Sequence, residues 1–255
     1  ISHPIIRSCF KKFQIKKKEE LCSIGESISG LGLGSSSSFS VALINSISKL
    51  NSLNLTNNEI AHYASEIEIA DLKKPIGRQD QYLCALGGVN ILKFMPKGEV
   101  IKSNQPLLIS AIENFSRDLY LINTSITRNA TTKLMNLKKE KSTVDRINDI
   151  REIATNFIEQ SKNLNQKEIE ELLAISMKDA WKIKRTMFGV MTKELFDIEE
   201  KIIKTDFSVL KLLGAGGGGY FLVLYNGNNL KNSISELEGN NLKLTRIEIC
   251  KEGCS

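Results

Sequence analysis

"GLGLGSSSSFSVALINSI", residues 30–47, decides how this chain is to be read. Glycines at 30, 32 and 34 and serines at 35–38 run directly into apolar residues. Phe39, Leu43, Ile47 and Leu50 recur at spacings of four, four and three, one face of a helix ready to pack on a core. A flexible Gly/Ser linker shares the composition but has no reason to lead straight into an amphipathic helix. Two readings of the loop remain: a tight structural turn, or a loop whose backbone wraps an anion. For the second, small residues admit close approach and the serines can satisfy first-turn N–H groups. The positive end of the helix dipole adds to the pull, and phosphate is the usual guest. The stretch is no Walker A loop, because no Gly-Lys-Ser/Thr follows, and no third glycine completes a GxGxxG fingerprint.

The rest of the 255 residues can bury a real core in one large domain or two small ones. Composition is that of an ordinary globular protein, 41% hydrophobic and 25% charged, and no apolar run approaches a membrane span. The net charge of +6 comes partly from lysine clusters at 16–18 and at 138, 139 and 141. Such clusters read as solvated faces rather than a nucleic-acid footprint, so neither nucleic acid nor membrane is expected as a partner. The five cysteines form no CxxC pair, and only His3 and His62 are present, which argues against a zinc site and a Ser-His-Asp triad. Reduced thiols and a cytoplasmic protein are the expectation. Ile1 leads into the amphipathic "IIRSCFKKF", so the chain is expected to begin inside a larger protein.

Residues 4–14 read as a helix and 19–29 as a strand entering the glycine loop. Thr56 with Glu59 predicts a capping box and a helix to about Asp71. Pro75 and Gly77 break it, and a new helical turn carries Asp80. Strands are expected in "VNILKF" and "LYLINTSI", a charged helix over 129–160, and a helix capped by Asn165 and Glu168 that carries Trp181, Lys184 and Arg185. "LKLLGAGGGGYFLVLY" reads as strand, loop, strand, and "KLTRIEIC" as a last strand. Helices and strands interleave without regular βαβ spacing, which predicts an α+β fold.

Phosphoryl transfer needs a phosphate cradle, a carboxylate for Mg²⁺ and a carboxylate that orients or deprotonates the acceptor hydroxyl. Glu68 and Asp80 are candidates for the carboxylates; a solvated helix face and an N-cap are their plain alternatives. "GAGGGG" at 214–219 costs backbone entropy unless something must pass close to it, the alternative being a loose hairpin.

"GLGLGSSSSF", "PIGRQDQY…GGVN" and "KLLGAGGGGYFLVL" resemble the signature motifs of the GHMP kinases, in the same order and at similar spacings across nearly the whole chain. "EIEIADLKKPIGRQDQY", "NTSITRNA" and "AWKIKR" resemble most the D-glycero-D-manno-heptose 7-phosphate kinases. The resemblance implies a two-lobed fold, with an incomplete N-terminal lobe over 1–110 and a ferredoxin-like C-terminal lobe over 111–255. It implies ATP and Mg²⁺ as cofactors, and transfer of the γ-phosphate to a sugar-phosphate hydroxyl, the anomeric one of a heptose 7-phosphate. Galactokinase- or fucokinase-like acceptors and an inactive nucleotide- or sugar-binding remnant are the alternatives; a homodimer is also entertained.

By the same resemblance, Gly30, Gly32, Gly34, Ser35, Ser36 and Ser37 bind the ATP phosphates, with Gly214, Gly216, Gly217 and Gly218 beside them. Ser36 and Glu68 hold Mg²⁺, Asp80 is the catalytic aspartate, and Gln79, Gln81, Arg128 and Lys184 contact the substrate. Two departures stand out: the glycine of the family's TGxxRxA pattern is Ser125 here, and the family's first motif, an Arg-rich strand with an Ala-Gly-Gly turn, is absent from the sequence.

Overall fold

The computed structural model describes residues 1–15, 20–24, 32–96, 98–127 and 141–254. The chain divides into two units, one of residues 1–29, 34–90 and 250–255, the other of 30–33 and 91–249.

The first unit is helical. It holds α1 (Pro4–Lys12), α2 (Ser35–Leu50), α3 (Asn57–Glu66) and α4 (Gln79–Leu86). Proline opens α1, where its missing N–H is no loss. Thr56 and Glu59 cap α3 reciprocally, the Glu59 carboxylate accepting from the Thr56 N–H at 2.8 Å and the Thr56 hydroxyl from the Glu59 N–H at 3.3 Å. Ile5, Cys9, Leu43, Ile44, Ile47, Ile60, Ala64, Ile67, Tyr82 and Ala85 are buried in it. Leu50, expected on the packed stripe of α2, is 66% exposed: it falls in the last turn, and Ile44 and Val41 widen the stripe instead. α3 continues into a π-helical turn, Ile67–Asp71. Residues 20–24, within the expected strand at 19–29, form none; a strand needs a hydrogen-bonded neighbour, and every strand among the described residues lies beyond residue 90.

The second unit begins with a two-stranded antiparallel pair, β1 (Ile91–Phe94) and β2 (Val100–Ser103), followed by α5 (Pro106–Phe115). Then come β3 (Leu119–Asn123), α6 (Lys141–Gln160), α7 (Gln166–Lys184), α8 (Lys193–Ile203), β4 (Phe207–Leu212), β5 (Tyr220–Tyr225), α9 (Leu230–Gly239) and β6 (Leu244–Arg246). The four later strands form an antiparallel sheet in the order β4-β5-β3-β6. Strand, helices, two strands, helix and strand, ordered this way, is the ferredoxin-like arrangement that the resemblance implied. Of the helix expected over 129–160, the part from Lys141 is described and is helical. Asn165 and Glu168 cap α7 as a second reciprocal pair.

Both faces of the sheet are covered. Ile122, Phe221 and Val223 pack with Leu195, Ile202 and Leu237 on one face. On the other, Leu119, Leu222 and Leu224 pack with Phe115 and Leu210. A bulge between Val209 and Lys211 resets the alternation of β4, so Leu212 returns to the Phe221 face and Lys211 pairs with Leu222.

Candidate active site

In the first unit the site is built on the start of α2. Gly34 is its N-cap, in the left-handed conformation at φ 70°, and no side chain caps the helix there. The Ser36 hydroxyl is not spent on a first-turn N–H group. Ser36 donates instead to Glu68 Oε2 at 2.8 Å, and Ser37 is buried. A methyl group on Gly34 would stand 3.2 Å from Asp80 Oδ2, so the aspartate lies against the bare backbone at the head of the helix.

Glu68 is no solvated helix residue: it has no exposed surface. Its position follows from periodicity, since Ile60, Ala61, Ala64, Ile67 and Glu68 share one helical stripe carried through the π turn. Such one-residue π expansions gather at functional sites. The carboxylate is satisfied on both oxygens. Oε2 accepts from Lys74 Nζ at 2.7 Å as well as from Ser36, and Oε1 accepts from Gln81 Nε2 at 2.9 Å. Burial pushes the Glu68 carboxyl up, but the hydrogen bonds from Lys74, Ser36 and Gln81 and the Lys74 charge outweigh it and hold it below its ordinary value.

Asp80 sits at the second position of α4, whose N-cap is Arg78, so the plain reading of Asp80 as a helix cap fails. It is exposed, as is Gln79 beside it, while Gln81 is fully buried. The Gln81 amide nitrogen faces Glu68; its Oε1 is buried with no hydrogen-bond partner.

Ser36 Oγ and Glu68 Oε2 form a pair of hard oxygens, and the buried, orphaned Oε1 of Gln81 belongs to the same network. That set suits Mg²⁺, which takes one or two protein oxygens and completes its shell with water and phosphate. Among the described residues no cluster of three His, Cys, Asp or Glu side chains could hold a metal alone.

The second unit holds the glycine loop between β4 and β5. Gly217 N–H donates to Val190 O at 2.8 Å and Gly219 N–H to Ile126 O at 2.9 Å, so the loop is pinned, not a loose hairpin. A Cβ on Gly214 would stand 2.8 Å from Gly32 Cα, which is the close backbone passage that the run of glycines implied. Gly216 would meet Val190, and Gly218 would meet Ile126 O at 2.3 Å. Lys184 does not point at open space. Its Nζ donates to Leu212 O and Gly214 O, each at 2.8 Å, tying the end of α7 to the root of the loop. Burial, with Lys211 adding, pushes the Lys184 ammonium down to about 7.

Gly30 and Arg128 lie outside the described residues. Ser125, where the family pattern has glycine, is left-handed at φ 56°, the conformation that favours glycine at that place. The residue that sequence reasoning missed is Lys74: nothing in "DLKKPIG" distinguishes it from Lys73, and only the turn after the π segment brings it onto Glu68.

Comparison with known proteins gives this arrangement its class. Residues 5–88 match the family described as GHMP kinases N terminal domain. A mevalonate kinase structure superposes with a TM-score of 0.70 at 19% identity, covering 97% of this chain and 75% of that one. Residues 5–88 are thus a GHMP kinase N-terminal domain, and the chain has the fold of its mevalonate kinase and heptose kinase neighbours.

The chain is 30% identical over 229 residues to the D-glycero-alpha-D-manno-heptose 7-phosphate kinase of Campylobacter jejuni, covering 88% of this chain and 66% of that protein. The chain thus spans just under two thirds of the length of this curated relative. A D-glycero-D-manno-heptose 1-phosphate kinase from Bacteroides thetaiotaomicron superposes with a TM-score of 0.67 at 20% identity, covering 98% of this chain and 72% of that one. Among the described residues no helix is long and apolar enough to cross a membrane.

Proposed function

We propose that this protein is an ATP- and Mg²⁺-dependent sugar-phosphate kinase that phosphorylates a hydroxyl of a heptose 7-phosphate, the anomeric one. One observation carries the reading: a fully buried glutamate, kept ionised by its neighbours, shares a hydrogen bond with a serine on the first turn of the helix that follows the glycine loop. Buried carboxylates are paired or coordinate a metal, and an oxygen shared with a serine at the start of the helix after the glycine loop suits the second use. The similarity to the heptose 7-phosphate kinase supports the choice of acceptor.

In this reading the first-turn N–H groups of α2, with Gly32, Gly34, Ser35 and Ser37, bind the nucleotide phosphates through backbone donors and the helix dipole. Gly214 and Gly216–Gly218 form the pinned loop whose backbone supports the nucleotide. Ser36 and Glu68 would hold Mg²⁺, which supplies charge neutralisation of the transferring phosphoryl group. Asp80 accepts the hydrogen bond of the acceptor hydroxyl, orients it for attack and takes its proton as the new O–P bond forms and the bond from the γ-phosphorus to the bridging oxygen breaks, releasing ADP. Gln81 positions Glu68 and Gln79 lies on the exposed side where a sugar would reach. Arg128 contributes a cation to the sugar phosphate, and Lys184 shapes the glycine loop from beneath rather than touching substrate. Phosphate positioning and electrostatics carry most of such a reaction, with modest demand for covalent chemistry from the protein.

A screen with γ-labelled ATP across heptose 7-phosphate, galactose, fucose and mannose phosphates tests the assignment. Label transferred to heptose 7-phosphate with the highest kcat/KM is expected. Faster transfer to an unphosphorylated hexose would replace the acceptor, and no transfer to any sugar would remove the activity.

A further inference from the structure

The metal-facing oxygen of Glu68 already has a cation on it. Lys74 Nζ stands 2.7 Å from Oε2, and of the three donors around this carboxylate only Lys74 carries charge. Glu68 has no exposed surface, whereas the Lys74 side chain keeps 27% of its own. Lys74 is held twice. Its backbone N–H donates to the Glu68 carbonyl at 3.0 Å, and Lys73, left-handed at φ 51°, turns the chain back to make that bond. A buried carboxylate stripped of counter-charge is costly, and beside the neutral donors Ser36 and Gln81 it is Lys74 that supplies the counter-charge to Glu68.

That same Oε2, with Ser36 Oγ, is the pair read above as ligands for Mg²⁺. A magnesium ion binds oxygen at about 2.0–2.1 Å. Sharing one oxygen with an ammonium would bring two positive charges within a few ångströms in a poorly solvated place, where their repulsion is large. The lysine stem is flexible and partly exposed, so its head has a route to water that the carboxylate lacks.

We propose that Lys74 is a tethered cation that neutralises Glu68 in the metal-free protein and must leave Oε2 when Mg²⁺ enters, so that it sets the affinity of the site for metal. The inference rests on the reading of Glu68 as a metal ligand. It makes lysine and metal mutually exclusive occupants of one carboxylate, coupled as two ligands of one site are coupled.

The experiment compares the whole chain with its Lys74→Met, Lys74→Gln, Lys74→Arg and Glu68→Gln variants. Mn²⁺ binding is counted by loss of the free-ion paramagnetic resonance signal, and thermal unfolding is followed with and without MgCl₂. Lys74→Met is expected to bind Mn²⁺ about 5- to 150-fold more tightly, the usual span of such coupling. Its melting temperature should fall without metal and recover with Mg²⁺, because the ion replaces the lost counter-charge. Lys74→Arg keeps the charge and the wild-type affinity, and Glu68→Gln loses binding. Lys74→Gln, which retains a donor without the charge, decides the matter if the methionine variant does not fold. Wild-type Mn²⁺ affinity in Lys74→Gln, with binding lost in Glu68→Gln, overturns the role of Lys74 and leaves the metal site standing. Undiminished binding in Glu68→Gln overturns both.

Discussion

Gly34 is the residue at which backbone and chemistry meet. Its φ of 70° starts α2, and its missing side chain lets Asp80 lie against the helix head. A β-branched residue is strained in that conformation and would also press on the Asp80 carboxylate. Gly34→Val is therefore expected to weaken binding of an ATP analogue at least about tenfold, a loss of ~1.4 kcal/mol. Circular dichroism should show helix content unchanged, and calorimetric titration with wild-type affinity would remove the phosphate-loop role. Glu68 makes a second prediction through pH. Its folded pKa lies below the unfolded value, so the stability it contributes is complete above about pH 4.3 and is lost as pH falls through the folded value. Urea unfolding should find Glu68→Gln less stable than wild type by about 1–3 kcal/mol at pH 7. The gap should narrow as pH falls from 7 through the folded value; a gap that does not narrow on acidification would show that the ionised form is not what stabilises the fold.

At the scale of elements, two short segments are held by contacts that no helix or strand pattern announces. Residues 250–254 lie along the end of α4: Gly88 N–H donates to Cys250 O at 2.7 Å, and Cys254 N–H to Ala85 O at 3.1 Å. A Cβ on Gly253 would stand 2.1 Å from Ala85 O, so Gly253→Ala must push this segment off the helix that carries Asp80 and Gln81. A loss of about 2 kcal/mol is expected in urea unfolding, within the usual range for a steric core change. Full stability would mean that the segment gives way freely. Lys184 is the second case. Its folded pKa near 7 lies below that of an unfolded lysine, so the unfolded chain binds more protons between about pH 7 and 10. Its contribution to stability is therefore greatest above the unfolded value and is lost as pH falls through 7. Subtracting the pH–stability curve of Lys184→Met from that of wild type should leave a slope rising from pH 7 to 10; a flat difference would show an ordinary surface ammonium.

Elements with local causes were legible: the capping boxes at Thr56 and Asn165 and the strands flanking the glycine loop need only neighbouring residues. The strand expected at 19–29 was not, because pairing is decided by residues far along the chain. Glu68 was half legible. Its type and spacing marked it, but its burial depended on reading it as part of the Ile60–Ile67 stripe. Lys74 was not legible at all, since a left-handed Lys73 and a π turn decide where it goes.

For the molecule as a whole, motif order across the sequence pointed to the GHMP kinase fold, and the antiparallel sheet with its β4-β5-β3-β6 order agrees in the second unit. What the fold leaves open is the chemistry, because one scaffold serves many acceptors. In the proposed reaction Asp80 acts on the acceptor hydroxyl during phosphoryl transfer. The most direct measurement is single-turnover transfer from γ-labelled ATP to heptose 7-phosphate by wild type and by Asp80→Asn, with nucleotide and sugar affinities measured beside it. Asparagine keeps the size of the side chain and its place on α4 but cannot take a proton. Near-normal affinities and a rate at least about a hundredfold lower are expected. A rate within a few-fold of wild type would contradict that role.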